Sequence, residues 1–344
     1  MKLDGYIDKD CSARFSKMGF LSAMCIVYLH TGCAADGEVV GSSLHRMIET
    51  FCRVAIPWFF YAAGFFLAGR IGENGWYKKE VLKRVKTLLI PFWIWSGIIC
   101  LFWVLIAVAI RLTGYNYNGI NAFEWITPKG LLTVVGLNPL GNIPTMWFLR
   151  SLFLFVFLSP VIYRGRALFV FVAFLSYAYF EIEYCNMERD IRYLLESFLS
   201  LRGLAYFSLG VYIRANRCRL SAIGKTSLSI IGVVVFVATC FLSGIAARLL
   251  DVLMVPFLMV ALFSVVARIK MSERLTSNAF PLYLIHGMVA YLVSAIYGVA
   301  GMGGKSLFVF GLVKWIVSIV FSLMITSTLR NHFPQSSKIL FGGR

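Results

Sequence analysis

Long apolar stretches recur along the whole chain, each ended by a cluster of charged residues. They lie at about 18–32, 52–69, 88–110, 146–163, 167–180, 197–213, 226–243, 249–267, 278–298 and 306–329. A helix needs roughly 20 apolar residues to cross a bilayer, and strands of a membrane barrel would alternate apolar and polar residues over short segments. The stretches here are long and unbroken. The pattern therefore predicts an all-α, polytopic helical membrane protein with about ten transmembrane helices. Residues 1–344 read as a single integral-membrane domain, without internal repeats or low-complexity segments. The longest connection, 111–145, contains TGYNYNGIN and GLNPLGNIP; it is polar and turn-rich, and is expected to form a lid or surface loop.

Composition agrees and narrows the class. Hydrophobic residues make up 59% of the chain, charged residues only 14%, and mean hydropathy is +0.79. Disorder, a coiled coil, an ordinary soluble enzyme and a single-span receptor are excluded. Lys and Arg number 33 against 16 Asp and Glu, a net charge of +17. In a soluble chain this would point to nucleic acid, but no basic domain stands apart from the apolar stretches, so no nucleic-acid partner is expected. The excess reads instead as cytoplasmic loops obeying the positive-inside rule. With a cytoplasmic N-terminus, 22 of the 33 basic residues fall in inner segments, which predicts that both termini are cytoplasmic. The opposite loop 181–190, EIEYCNMERD, is acidic, in agreement. The first 17 residues carry three Asp and do not read as a cleavable signal. Eight scattered cysteines show neither a CxxC pair nor zinc spacing, and no metal is expected.

Ionisable groups inside spans are costly, and each is a candidate for function. They are His30, Arg53, Arg150, Arg202, Asp251, His286 and Lys314. On the map above, His30, Arg53, Arg150, Arg202 and Asp251 fall near outer ends of spans, Lys314 lies deeper, and His286 sits near mid-depth. A histidine with arginines around one cavity suits acyl transfer: imidazole takes a hydroxyl proton while guanidinium groups hold a carbonyl or a sugar. Equally, each arginine could snorkel to the interface and each histidine bond a backbone carbonyl. In WYKKEVLKRVKTLLIP, Lys79, Lys83 and Lys86 fall on one helical face, and Leu82, Val85 and Leu89 on another. An interfacial helix of that pattern would dock coenzyme A phosphates, bind anionic lipid, or merely set topology.

Four segments together resemble the integral-membrane acyltransferase-3 family: FCRVAIPWFFYAAGFFLAGR, KRVKTLLIPFWIWS, MWFLRSLFLFVFLSPVIY and NAFPLYLIHG. The resemblance runs from about residue 15 to residue 330. It implies ten spans in a bacterial inner membrane and transfer of an acyl group, usually acetyl from acetyl-CoA, to hydroxyls of surface glycans. It also implies that His30 is catalytic. Pro57, Gly64 and the preceding Arg53 match a second-span motif, while Trp147, Phe148, Leu149 and Arg150 match the WFL phrase, and Tyr283 and His286 the late tyrosine–histidine pair. On this basis His30, Arg53 and Arg150 are expected to carry catalysis. Lys83, Arg84 and Lys86 are expected to hold the acyl-CoA donor, and Arg202, Trp147, Tyr283 and His286 the glycan acceptor. Three positions depart from the family: Gly19 replaces an arginine eleven residues before the histidine, Ser151 an acidic residue, and Pro91 lacks the usual Arg-x-x-Arg-x-x-Pro register. A transporter or flippase of lipid-linked glycan would also account for ten spans and buried charge, although no paired broken-helix repeat is present.

Overall fold

The computed structural model describes residues 9–31, 39–113, 126–140, 145–218, 222–299 and 307–343. Among these residues the secondary structure is helical, with no strand. In chain order the helices are α1 (Lys9–Thr31), α2 (Val39–Cys52), α3 (Ala55–Ala68), α4 (Trp76–Arg84), α5 (Ile90–Thr113), α6 (Pro128–Val134), α7 (Trp147–Arg164) and α8 (Arg166–Glu183). They continue as α9 (Arg189–Tyr193), α10 (Leu201–Ala215), α11 (Ala222–Phe241), α12 (Gly244–Val265), α13 (Glu273–Thr276), α14 (Ala279–Val299), α15 (Leu307–His332) and α16 (Pro334–Leu340). Among the described residues, seven helical stretches are long and apolar enough to cross a membrane, and Ala279–Ser294 is a shorter apolar helix. Large apolar side chains such as Leu101, Leu105, Phe171, Phe241 and Ile296 are exposed, as a hydrocarbon-facing surface requires.

Close backbone approach sets the centre of the bundle. A Cβ at Gly64 on α3 would collide with the Phe207 carbonyl on α10, and one at Gly210 with the Tyr61 carbonyl on α3. Small residues at such contacts let two helices dock without a hydrophobic driving force from water. Around this pair, Phe15, Trp58, Phe60, Phe148, Phe155 and Phe207 pack ring against ring in the buried core.

Helix α1 starts at Lys9, well before the apolar window at 18, because Phe15 and Met18 extend its buried face past Arg14 and Lys17. The described part of the 111–145 connection is largely exposed, and it lies against α5. Trp93 Nε1 donates to the Val135 carbonyl at 3.1 Å, and Gly136, at φ +83°, brings its backbone against the Phe92 ring. Phe92 stands about 20 residues, or roughly 30 Å, before the end of α5. The chain that leaves α5 at Thr113 has therefore turned back along its length by Val135. Helix α6 lies in this return, capped by Thr127, whose side chain accepts from Gly130 N at 3.2 Å, with Pro128 in the first turn. Helix α7 consequently begins inside the bundle, with Thr145 and Met146 buried ahead of it. Residues 114–125 and 141–144 of this connection lie outside the described residues.

Candidate active site

Two cavities lie end to end along α14. The first, of about 260 Å³, is lined by Arg84, Leu88, Phe148, Leu152, Phe280 and Tyr283, with the α3 face around Phe59 to Phe66. The second, of about 250 Å³, is lined by His30, Thr145, Gly287, Tyr291, Ser294 and Lys314, with Ile99 and Trp103 of α5. Their order is the same on two helices. From the π-helical turn Val85–Leu89 into α5, Leu88 faces the first cavity and Ile99 the second. Along α14, Phe280 and Tyr283 face the first cavity, and Leu284 through Ser294 the second.

Between them stands a pair of histidines. His30, in the last turn of α1, has its ring centre 5.1 Å from that of His286. His286 is wholly buried, with Nδ1 2.6 Å from the Tyr283 carbonyl and 3.3 Å from the Leu282 carbonyl. Its Nε2 is buried without a hydrogen-bond partner, as is the Tyr283 hydroxyl. The Tyr283 ring packs edge-on against Phe148, centres 5.5 Å apart, and 6.0 Å from the His286 ring. Gly287 follows, beside Thr145, which is at φ +70°; both line the second cavity.

A family model described as an acyltransferase domain matches residues 20–329. The chain belongs to the acyltransferase-3 family. A succinoglycan biosynthesis protein, ExoH, from Rhizobium meliloti (strain 1021) is 30% identical over 168 residues, which is 45% of this chain and 43% of that relative. The match thus spans less than half of the relative's length. No solved structure matches the chain. Among the described residues, no three His, Cys, Asp or Glu side chains gather as a metal site.

Within this acyltransferase domain the arginines sort by what they touch. Arg53 does not line either cavity. It forms an ion pair with Asp251 on α12 and a longer one, 3.4 Å, with Glu49 on α2. Glu49 is in turn 3.7 Å from His45, which hydrogen-bonds the Tyr28 hydroxyl at 3.0 Å. Arg202 pairs with Glu181 at 2.9 Å and lies over the Tyr177 ring, 5.3 Å from its centre. Arg150 donates to the Asn138 carbonyl at 3.1 Å and lies 4.9 Å from the Phe198 ring centre, tying the returning loop to α7. Trp147 opens α7 beside Phe148, ring centres 6.4 Å apart. Of the residues singled out in the sequence, His30 and Tyr283 line the cavities and His286 lies beside both, whereas Arg53, Arg150 and Arg202 are held by other partners and line neither.

The basic helix is anchored by a buried carboxylate. Leu82 is 53% exposed, and the buried residue of α4 is Glu80. Glu80 receives Arg70 at 3.1 Å and Arg84 at 3.3 Å. Lys83 and Lys86 point outward and only Arg84 lines the first cavity. A single carboxylate four residues before Arg84 is the signal that marks this buried pair. Thr145, Gly287 and Tyr291 were not legible as site residues, since nothing in their local sequence sets them apart.

Proposed function

We propose that this chain transfers an acyl group, acetyl from acetyl-CoA in the first instance, to a hydroxyl of a cell-envelope polysaccharide or glycolipid. One observation carries the reading: His30 on one cavity and Tyr283 on the other both lie beside buried His286. The donor occupies the cavity beside Arg84, whose guanidinium holds coenzyme A phosphates, with Lys83 and Lys86 at its rim. The acceptor hydroxyl enters the cavity of His30. Imidazole takes the hydroxyl proton as the oxygen attacks the thioester carbon; the carbon–sulfur bond breaks and the proton ends on the coenzyme A sulfur. No metal takes part in this scheme.

The charge distribution supports a bacterial inner-membrane protein with ten crossings, both termini cytoplasmic, and the Arg84 cavity on the cytoplasmic side. The name of the succinoglycan relative supports an extracellular polysaccharide as acceptor class. Protein reconstituted in liposomes tests the reading. It should release coenzyme A from acetyl-CoA and acylate a supplied glycan, whereas a flippase would do neither. A cysteine placed at Lys83 should react with an impermeant reagent only from the donor side; labelling from the opposite side would reverse the orientation.

A further inference from the structure

A carbonyl oxygen accepts hydrogen bonds and donates none. The carbonyls of Tyr283 and Leu282 both face His286 Nδ1, so this nitrogen carries the hydrogen. In a neutral imidazole the other nitrogen is then a bare acceptor. His286 Nε2 is that acceptor, wholly buried and without a partner. The imidazole beside it is His30, its ring centre 5.1 Å away. Two imidazoles joined by a hydrogen bond of about 2.9 Å have centres about 5 Å apart, so the rings already stand at bonding separation and need only turn into line.

We infer that His286 is the positioning residue for His30. Its Nε2 accepts the N–H of His30 and so fixes the His30 tautomer, leaving the other His30 nitrogen bare toward the acceptor hydroxyl. The order of donation runs from acceptor O–H to His30, from His30 N–H to His286 Nε2, and from His286 Nδ1–H to the Tyr283 carbonyl. When His30 takes the hydroxyl proton, its bond to Nε2 becomes charge-assisted and strengthens. Neither Asp nor Glu is among the described residues lining this cavity, so a backbone-held imidazole does the orienting that a carboxylate does in other proton-relay sites. The inference rests on the acyl-transfer reading of the same site.

The test compares wild type, His286→Gln, His286→Leu, His30→Ala and the double variant His30→Ala/His286→Leu, reconstituted with acetyl-CoA and glycan. Glutamine can place an oxygen acceptor where Nε2 lies; leucine keeps bulk without an acceptor. His286→Leu should lower kcat by about 10²-fold, within the range a general base contributes, with both KM values near wild type. His286→Gln should recover at least tenfold of that loss. In the His30→Ala background, His286→Leu should cost nothing further. Thermal melting reports the fold separately, and if the leucine variant does not fold, the glutamine variant against wild type decides. A glutamine variant as impaired as the leucine one, a rise in KM at unchanged kcat, or a further loss in the double variant overturns the inference. If wild type transfers acyl groups and His30→Ala does not, the functional reading stands whatever His286 does; if wild type transfers none, both fall.

Discussion

Lys83, Arg84 and Lys86 lie within four residues of one another, yet a half-turn of helix separates their surroundings. Arg84 lines the first cavity and shares buried Glu80 with Arg70, while the two lysines are exposed. Arg84→Gln should therefore raise the donor KM by about tenfold, the order of one charge-assisted hydrogen bond, and Lys83→Gln/Lys86→Gln should change it much less. Donor titration of the three variants checks this, and equal effects would return all three residues to a diffuse electrostatic role. Arg53 is the opposite case. Its pairing with nearly buried Asp251 makes it a structural cation, so Arg53→Met should cost about 3–5 kcal/mol by leaving that carboxylate uncompensated. Arg53→Met/Asp251→Leu should restore much of the loss in a melting experiment. His30 was legible because it breaks an apolar run, but Arg53 looked just as conspicuous. What separates them is the partner, and Asp251 lies about 200 residues away on α12.

At the level of elements, the apolar windows anticipated the long helices, because continuous apolar runs of this length have few stable alternatives in lipid. The returning segment around α6 was not anticipated. Its polar, turn-rich sequence marks a loop but does not say which helix the loop lies against. Gly136 against Phe92 and Asn138 against Arg150 hold it there. The packing of α3 on α10 was illegible for another reason: a glycine in a helix shows no sign of what it touches. Gly64→Ala and Gly210→Ala should each lower stability by at least about 1–3 kcal/mol through overpacking. Gly97→Ala should not, since a Cβ there meets nothing within 4 Å and alanine favours the helix. Melting temperatures in detergent decide; a Gly64→Ala variant as stable as Gly97→Ala would contradict the close α3–α10 contact.

For the whole molecule, the proposed function uses two cavities, with His30 at one and Arg84 at the other. The cavity proposed for the donor carries a guanidinium and an aromatic wall; the one proposed for the acceptor carries His30, Lys314 and the polar groups of Ser294 and Tyr291. Family and class were readable from sequence because the aromatic phrases occur in order along the chain. The adjacency of His30 and His286 was not, since it depends on how α1 packs against α14, more than 250 residues away. The most direct test of this account is NMR of surface glycans from cells expressing no enzyme, the wild-type chain, or His30→Ala at equal membrane abundance. Acyl signals should appear with the wild-type chain and be absent with both the empty control and His30→Ala. Full acylation by His30→Ala would contradict the account, for the chemistry would then have to lie elsewhere in the bundle.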